Sequence, residues 1–87
     1  MYKYEIEKPA IFTEGGQVLF LAIRDNVFSL LKKSGAVKMG SAINVKICSE
    51  SFTQMACVDR LVELGEIREI TKGNDLHGQD RVFVETR

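Results

Sequence analysis

The stretch that most constrains this chain is 51–84, where an apolar pattern of helical period breaks at Gly65 and two β-like runs follow around a polar loop. Ser51-Phe52-Thr53-Gln54 fits a capping box, in which the serine side chain and the glutamine three residues on each satisfy a free backbone N–H. From Phe52 onward Met55, Val58, Leu61 and Val62 recur at helical spacing. Leu64 and Ile67 complete the seal, and Gly65 supplies the left-handed residue that ends the helix. Ile67-Arg68-Glu69-Ile70 and Arg81-Val82-Phe83-Val84 then read as the strands of a hairpin, with Gly73, Asn74 and Gly78 as turn residues between them. A cap, a stop and a hairpin agree about one local architecture, and such agreement is the mark of a foldable sequence.

Upstream, Thr13 is a plausible N-cap with Glu14 in the first turn, and the pattern predicts a helix to Ser34 with Gly35 as its stop, although Gly15 and Gly16 weaken the first turn. Leu19, Phe20, Ile23, Val27, Leu30 and Leu31 project onto one arc of about 120°, the width of a helix lying on a core. Leu21 and Phe28 fall outside that arc. They either receive the N-terminal segment, through Ile6 and Ile11, or meet a second copy of the protein. Between Ala36 and Cys48 a short helix is expected around Met39 to Val45, while Val45-Lys46-Ile47 suits a strand equally well. At the start, Tyr2, Tyr4 and Ile6 alternate with charged residues, which predicts a half-buried strand or an extended arm up to Pro9.

Eighty-seven residues, 45% hydrophobic and 28% charged, describe one soluble domain, 1–87, with 1–12 as arm or strand and 13–84 as core. Cys48 and Cys57 lack C-x-x-C spacing and read as buried reduced thiols, with no disulfide framework and no zinc site. No membrane span or secretory leader is discernible, which places the chain in the cytoplasm. Twelve Lys and Arg balance twelve Asp and Glu, so the whole surface is no magnet for nucleic acid. The balance hides a split: Lys32, Lys33, Lys38 and Lys46 lie in an interval without acids, whereas Asp59, Glu63, Glu66 and Glu69 crowd the end of the later helix. Such a split aims one face at a polyanion, or it is simply a solvated surface.

Helix, short second helix, capped third helix and hairpin together resemble a winged helix-turn-helix domain of the kind found in small bacterial and phage regulators. The run Val58-Asp59-Arg60-Leu61-Val62-Glu63-Leu64-Gly65-Glu66-Ile67 is similar to the common end of a third helix in that superfamily, V-x-x-L-x-x-L-G-x-I. With Gly78-Gln79-Asp80-Arg81-Val82-Phe83-Val84 it is also similar to a set of small uncharacterised bacterial and phage-type proteins, a likeness covering about Thr13 to Val84. The resemblance implies an α+β, mainly α fold of three helices with a C-terminal β-hairpin wing.

It also implies double-stranded DNA as partner, with helix 52–64 in the major groove and the 71–80 loop as wing. On the helix, Thr53 is expected to meet a phosphate or base edge, Ala56 a thymine methyl and Arg60 a guanine. The wing offers Lys72, Asn74, His77 and Arg81 to phosphates, and Lys32, Lys33 and Lys38 offer backbone contacts from the flank. A regulator of this kind acts as a dimer, here through the N-terminal arm and first helix. Asp59 and Glu63 flank Arg60 and repel phosphate, which leaves a protein-interaction module as the alternative. No cofactor, metal, small-molecule substrate or enzymatic activity is indicated: His77 is the lone histidine, and Gly15-Gly16 lacks the Lys-Ser/Thr of a phosphate loop.

Overall fold

The computed structural model describes residues 2–47, 49–70 and 80–86. In chain order these form helix α1 (Tyr4–Glu7), a 3-10 turn (Lys8–Phe12), helix α2 (Glu14–Ser34), strand β1 (Ala36–Lys38), helix α3 (Met39–Ala42), helix α4 (Ser51–Glu63) and strands β2 (Ile67–Glu69) and β3 (Val82–Glu85). The architecture is α+β, mainly helical, with one three-stranded antiparallel sheet in the order β1-β3-β2.

Both ends of α2 follow from their local chemistry. The Thr13 hydroxyl accepts from the Gly16 N–H at 3.0 Å and donates to the Ala10 carbonyl at 2.8 Å, tying the helix start to the preceding turn. At the other end Gly35 takes φ 76°, and its N–H closes on Leu31 at 2.8 Å. Gly16 is required for a different reason. A Cβ there would lie 1.9 Å from the Ala10 oxygen and 2.7 Å from the Ile11 oxygen, so only glycine lets the turn press against α2.

The core lies between α2, α4 and the inner face of the sheet. Leu19, Ile23, Val27 and Leu31 of α2 meet Met55, Val58 and Leu61 of α4, closed off by Ile11, Val37, Met39, Ile67 and Phe83. Full burial of each large side chain contributes about 1.5–3 kcal/mol before the entropy of ordering is subtracted. Phe20 and Leu30, the remaining members of the expected arc, pack against this core from its border. Val37 and Glu69 flank Phe83 from the two edge strands, so β3 carries the register of the whole sheet.

Several expectations are corrected. The N-terminal segment is neither strand nor extended arm: residues 4–12 are helical, with Pro9 in the first turn of the 3-10 segment. Five alternating residues were too few to tell a strand from a short helix whose faces happen to differ in polarity. The capping box does not form, because α4 starts one residue early: Glu50 is the N-cap and makes no side-chain cap bond. Ala36–Lys38 is a strand, the helix after it stops at Ala42, and Val45-Lys46-Ile47 is no strand. Leu64 is 47% exposed and does not seal the core. Gly65 takes φ 78° as expected, and Cys57 is a buried free thiol whose burial pushes its pKa up to about 12.

Candidate nucleic-acid interface

Phe52, Ala56, Asp59 and Glu63 recur at spacings of four, three and four on α4, on the side turned away from the core. The chain's own first twelve residues occupy that side. The Tyr2 phenol donates to Asp59 Oδ2 at 2.5 Å, and its ring meets Phe52 edge-on with centroids 5.6 Å apart. One turn along α4, the Tyr4 phenol donates to Glu63 Oε1 at 2.7 Å and Lys8 Nζ to Glu63 Oε2 at 2.9 Å. Two phenols two residues apart thus reach two carboxylates four residues apart, because Lys3 between them is extended and Tyr4 opens α1.

Arg60, the residue on which base reading would depend, is engaged within this clasp. Its Nη1 donates to Glu63 Oε1 at 2.7 Å, and its guanidinium lies 5.2 Å from the centre of the Phe12 ring. Ala56 is fully buried, which corrects its expected outward position. Helical spacing alone leaves that side of α4 open to solvent, whereas in the fold the N-terminal segment packs on it.

Arg81, expected to meet phosphate from the wing, is the centre of a second ion cluster. Its Nη2 and Nη1 donate to Asp59 Oδ1 and Oδ2 at 2.8 and 3.3 Å, while Nη2 and Nε donate to Glu69 Oε1 and Oε2 at 2.8 and 3.0 Å. The guanidinium also rests 5.3 Å from the Phe83 ring centre. All three donor nitrogens are committed, so the geometry is the fork on two carboxylates that arginine forms best. Among the described residues Asp59, Glu63 and Glu69 pair with Lys8, Arg60 and Arg81, three charges of each sign.

The titration behaviour follows from these contacts. Hydrogen bonds from Lys8, then Tyr4, then Arg60 hold Glu63 down at about 2. Burial, followed by the bond to Asp59, raises Tyr2 well above the usual phenol range, and burial with the bond to Glu63 does the same for Tyr4. Bonds to Glu69 and Asp59 raise Arg81 against the opposing effect of its burial.

The other expected contacts are dispersed. Thr53 is half-buried in a cleft of about 430 Å³ between the starts of α2 and α4, beside Thr13, Ile47 and Ser49. Lys32 and Lys33 are exposed at the end of α2, and Lys38 is exposed on β1 at the register position of Val82. Lys72, His77 and the 71–79 part of the expected wing lie outside the described residues. Among the described residues no group of His, Cys, Asp and Glu is arranged to hold a metal ion, and no helix is long and apolar enough to cross a membrane. The sequence reading missed the clasp, although Asp59 and Glu63 at i, i+4, facing the only two tyrosines of the chain, were its available signal. Comparison with protein-family models, curated proteins and solved structures finds no match. Geometry alone carries the functional assignment.

Proposed function

We propose that the chain is a winged-helix module that binds protein rather than reading duplex DNA with its third helix. The order α2, β1, α3, α4, β2, β3, with β3 central in the sheet, supports the winged-helix resemblance. The observation that carries the functional choice is the occupied outer side of α4. There, of the residues meant for a major groove, Ala56 is buried, Thr53 is half-buried in a cleft and Arg60 is held by a carboxylate, and Arg81, meant for the wing, is held by two more.

Magnitudes decide against a simple opening of that side. Freeing it means withdrawing Ile11 from the core at about 1.5–3 kcal/mol and breaking the part-buried bond of Tyr2 to Asp59 at about 1 kcal/mol, along with the exposed contacts of Tyr4 and Lys8 to Glu63. A sum of about 2.5–4 kcal/mol lowers apparent affinity by about two to three powers of ten, and Asp59 and Glu63 would then face phosphate. Uncovered apolar side chains elsewhere, Val18 and Leu21 on α2 above all, offer a surface suited to protein.

Fluorescence anisotropy with a labelled mixed-sequence duplex at low ionic strength tests the choice. No saturable rise is expected. Exposed Lys32, Lys33 and Lys38, which form no ion pair among the described residues, favour the duplex reading. A saturable rise that falls steeply with salt and weakens in Lys38→Gln and Arg60→Gln would establish it in place of the protein-binding one.

A further inference from the structure

On the side of α2 opposite its buried stripe, Glu14, Val18, Leu21, Asp25, Phe28 and Lys32 recur at spacings of four, three, four, three and four. That alternation is the heptad seam by which helices pair. Val18 and Leu21 are 57% and 54% exposed, Phe28 is half-buried, and the three charged members are exposed. Among the described residues Glu14, Asp25 and Lys32 form no ion pair. The helix is 21 residues long, and from Glu14 to Lys32 the seam runs about 27 Å.

We infer that this stripe is the interface of a homodimer in which two copies of α2 pack antiparallel. The order of charge selects both the occupant and its direction. Glu14 stands at one end and Lys32 at the other, so a parallel copy sets like charge on like, whereas an antiparallel copy sets each Glu14 within a turn of the other Lys32. With the two-fold axis between Arg24 and Asp25, Leu21 lies opposite Phe28 of the second copy, and the two Asp25 flank the axis with Arg24 of each copy on the shoulder of the seam, within reach of the other copy's carboxylate. Arg24 gives only its Nε to Glu66, at 3.3 Å, which leaves its terminal nitrogens for that carboxylate. A buried Asp25–Arg24 pair at the centre favours this register over slipped ones, the established use of a polar residue in a helical seam. Opposed helix dipoles favour the same direction. The surface is self-complementary, as a two-fold interface must be.

This inference deepens the protein-binding reading by naming a second copy as the partner, and the two fail separately: the duplex titration tests the first and the oligomeric state tests the second. Sedimentation equilibrium of the full chain is expected to return twice the 9.8 kDa monomer mass. Leu21→Glu raises the dimer dissociation constant by about a hundredfold, since two apolar side chains lose their burial, and leaves the far-ultraviolet circular dichroism unchanged because Leu21 lies outside the core. Glu14→Lys and Lys32→Glu each weaken the dimer about tenfold, and the double swap restores it. A monomer at millimolar concentration, a dimer indifferent to Leu21→Glu, or a double swap that fails to restore association overturns the inference.

Discussion

Helices α4 and α2 bury similar apolar stripes against one another, yet their opposite sides meet different fates. On α4 the outer side is filled by Tyr2, Tyr4, Lys8 and Phe12, and its charges are balanced within the chain. On α2 the outer side keeps Val18 and Leu21 uncovered, with unmatched charges at both ends. A helix is available for recognition according to what already covers it, and its position in the fold does not decide this. Here the third helix, the expected reader, is closed, and the long central helix is the one left open.

The sharpest way to break the contrast is to detach the segment that closes α4. Gly16→Ala places a methyl group inside contact distance of two backbone oxygens, which cannot move aside as a flexible side chain would. A loss of about 2–3 kcal/mol is expected from urea unfolding, with the N-terminal segment released in whatever fraction remains folded. A stability unchanged within experimental scatter would mean that the turn docks on α2 less tightly than its geometry implies. Next in size is Arg81→Met, which leaves the partly buried carboxylates of Asp59 and Glu69 without their shared cation. Their residual exposure, and the bond that Asp59 keeps from Tyr2, hold the cost of losing that cation to about 2 kcal/mol, measured by the same unfolding curves. Adding Asp59→Asn to that variant recovers part of the loss if the two residues act as one cluster.

The legible parts of this fold were those written in single positions. Thr13, Gly35 and Gly65 each supply a hydroxyl or a left-handed backbone where a helix begins or ends, and each does so in the structure. Ile67, expected to seal the end of the third helix, is likewise inside. What could not be read were contacts between distant segments. Tyr2 meets Asp59 across 57 positions and Arg81 meets Asp59 across 22, and neither pairing leaves a periodic trace. The Ala56 error has the same origin: helical spacing groups it with Phe52, Asp59 and Glu63, yet it belongs to the buried core, on a helix side where residues 2–12 dock. β1 escaped notice because three residues ending in lysine show no alternation long enough to count.

Acid titration separates the two helices without mutation. Glu63 is held at about 2 in the folded chain against an ordinary value of 4.5, so its contribution to docking the N-terminal segment is complete above about 4.5 and is lost as the pH falls toward about 2. Tyr2 and Tyr4 are the only tyrosines and the chain has no tryptophan, so tyrosine emission reports this clasp directly. The emission should hold steady down to about pH 4 and change below it, while Glu63→Gln should show the changed signal already at neutral pH. A transition centred at the ordinary carboxyl value, or a spectrum indifferent to Glu63→Gln, would show the clasp to be a weaker contact than the distances indicate.

The smallest expected effect comes from the residue beside the tightest one. Gly15 adjoins Gly16 in the first turn of α2, yet a Cβ added to it meets nothing within 4 Å. Gly15→Ala therefore removes backbone freedom from the unfolded chain and adds helix propensity with no steric cost, for a gain of about 0.5 kcal/mol, less than in a helix interior because the site is in the first turn. In a domain of this size that corresponds to a rise in melting temperature of about 3 °C. Read against Gly16→Ala, the sign change between neighbouring glycines locates the edge of the docked segment to one residue. If Gly15→Ala also destabilises, the N-terminal segment embraces more of α2 than the Gly16 contact, and the boundary between the closed and open sides of the molecule moves accordingly.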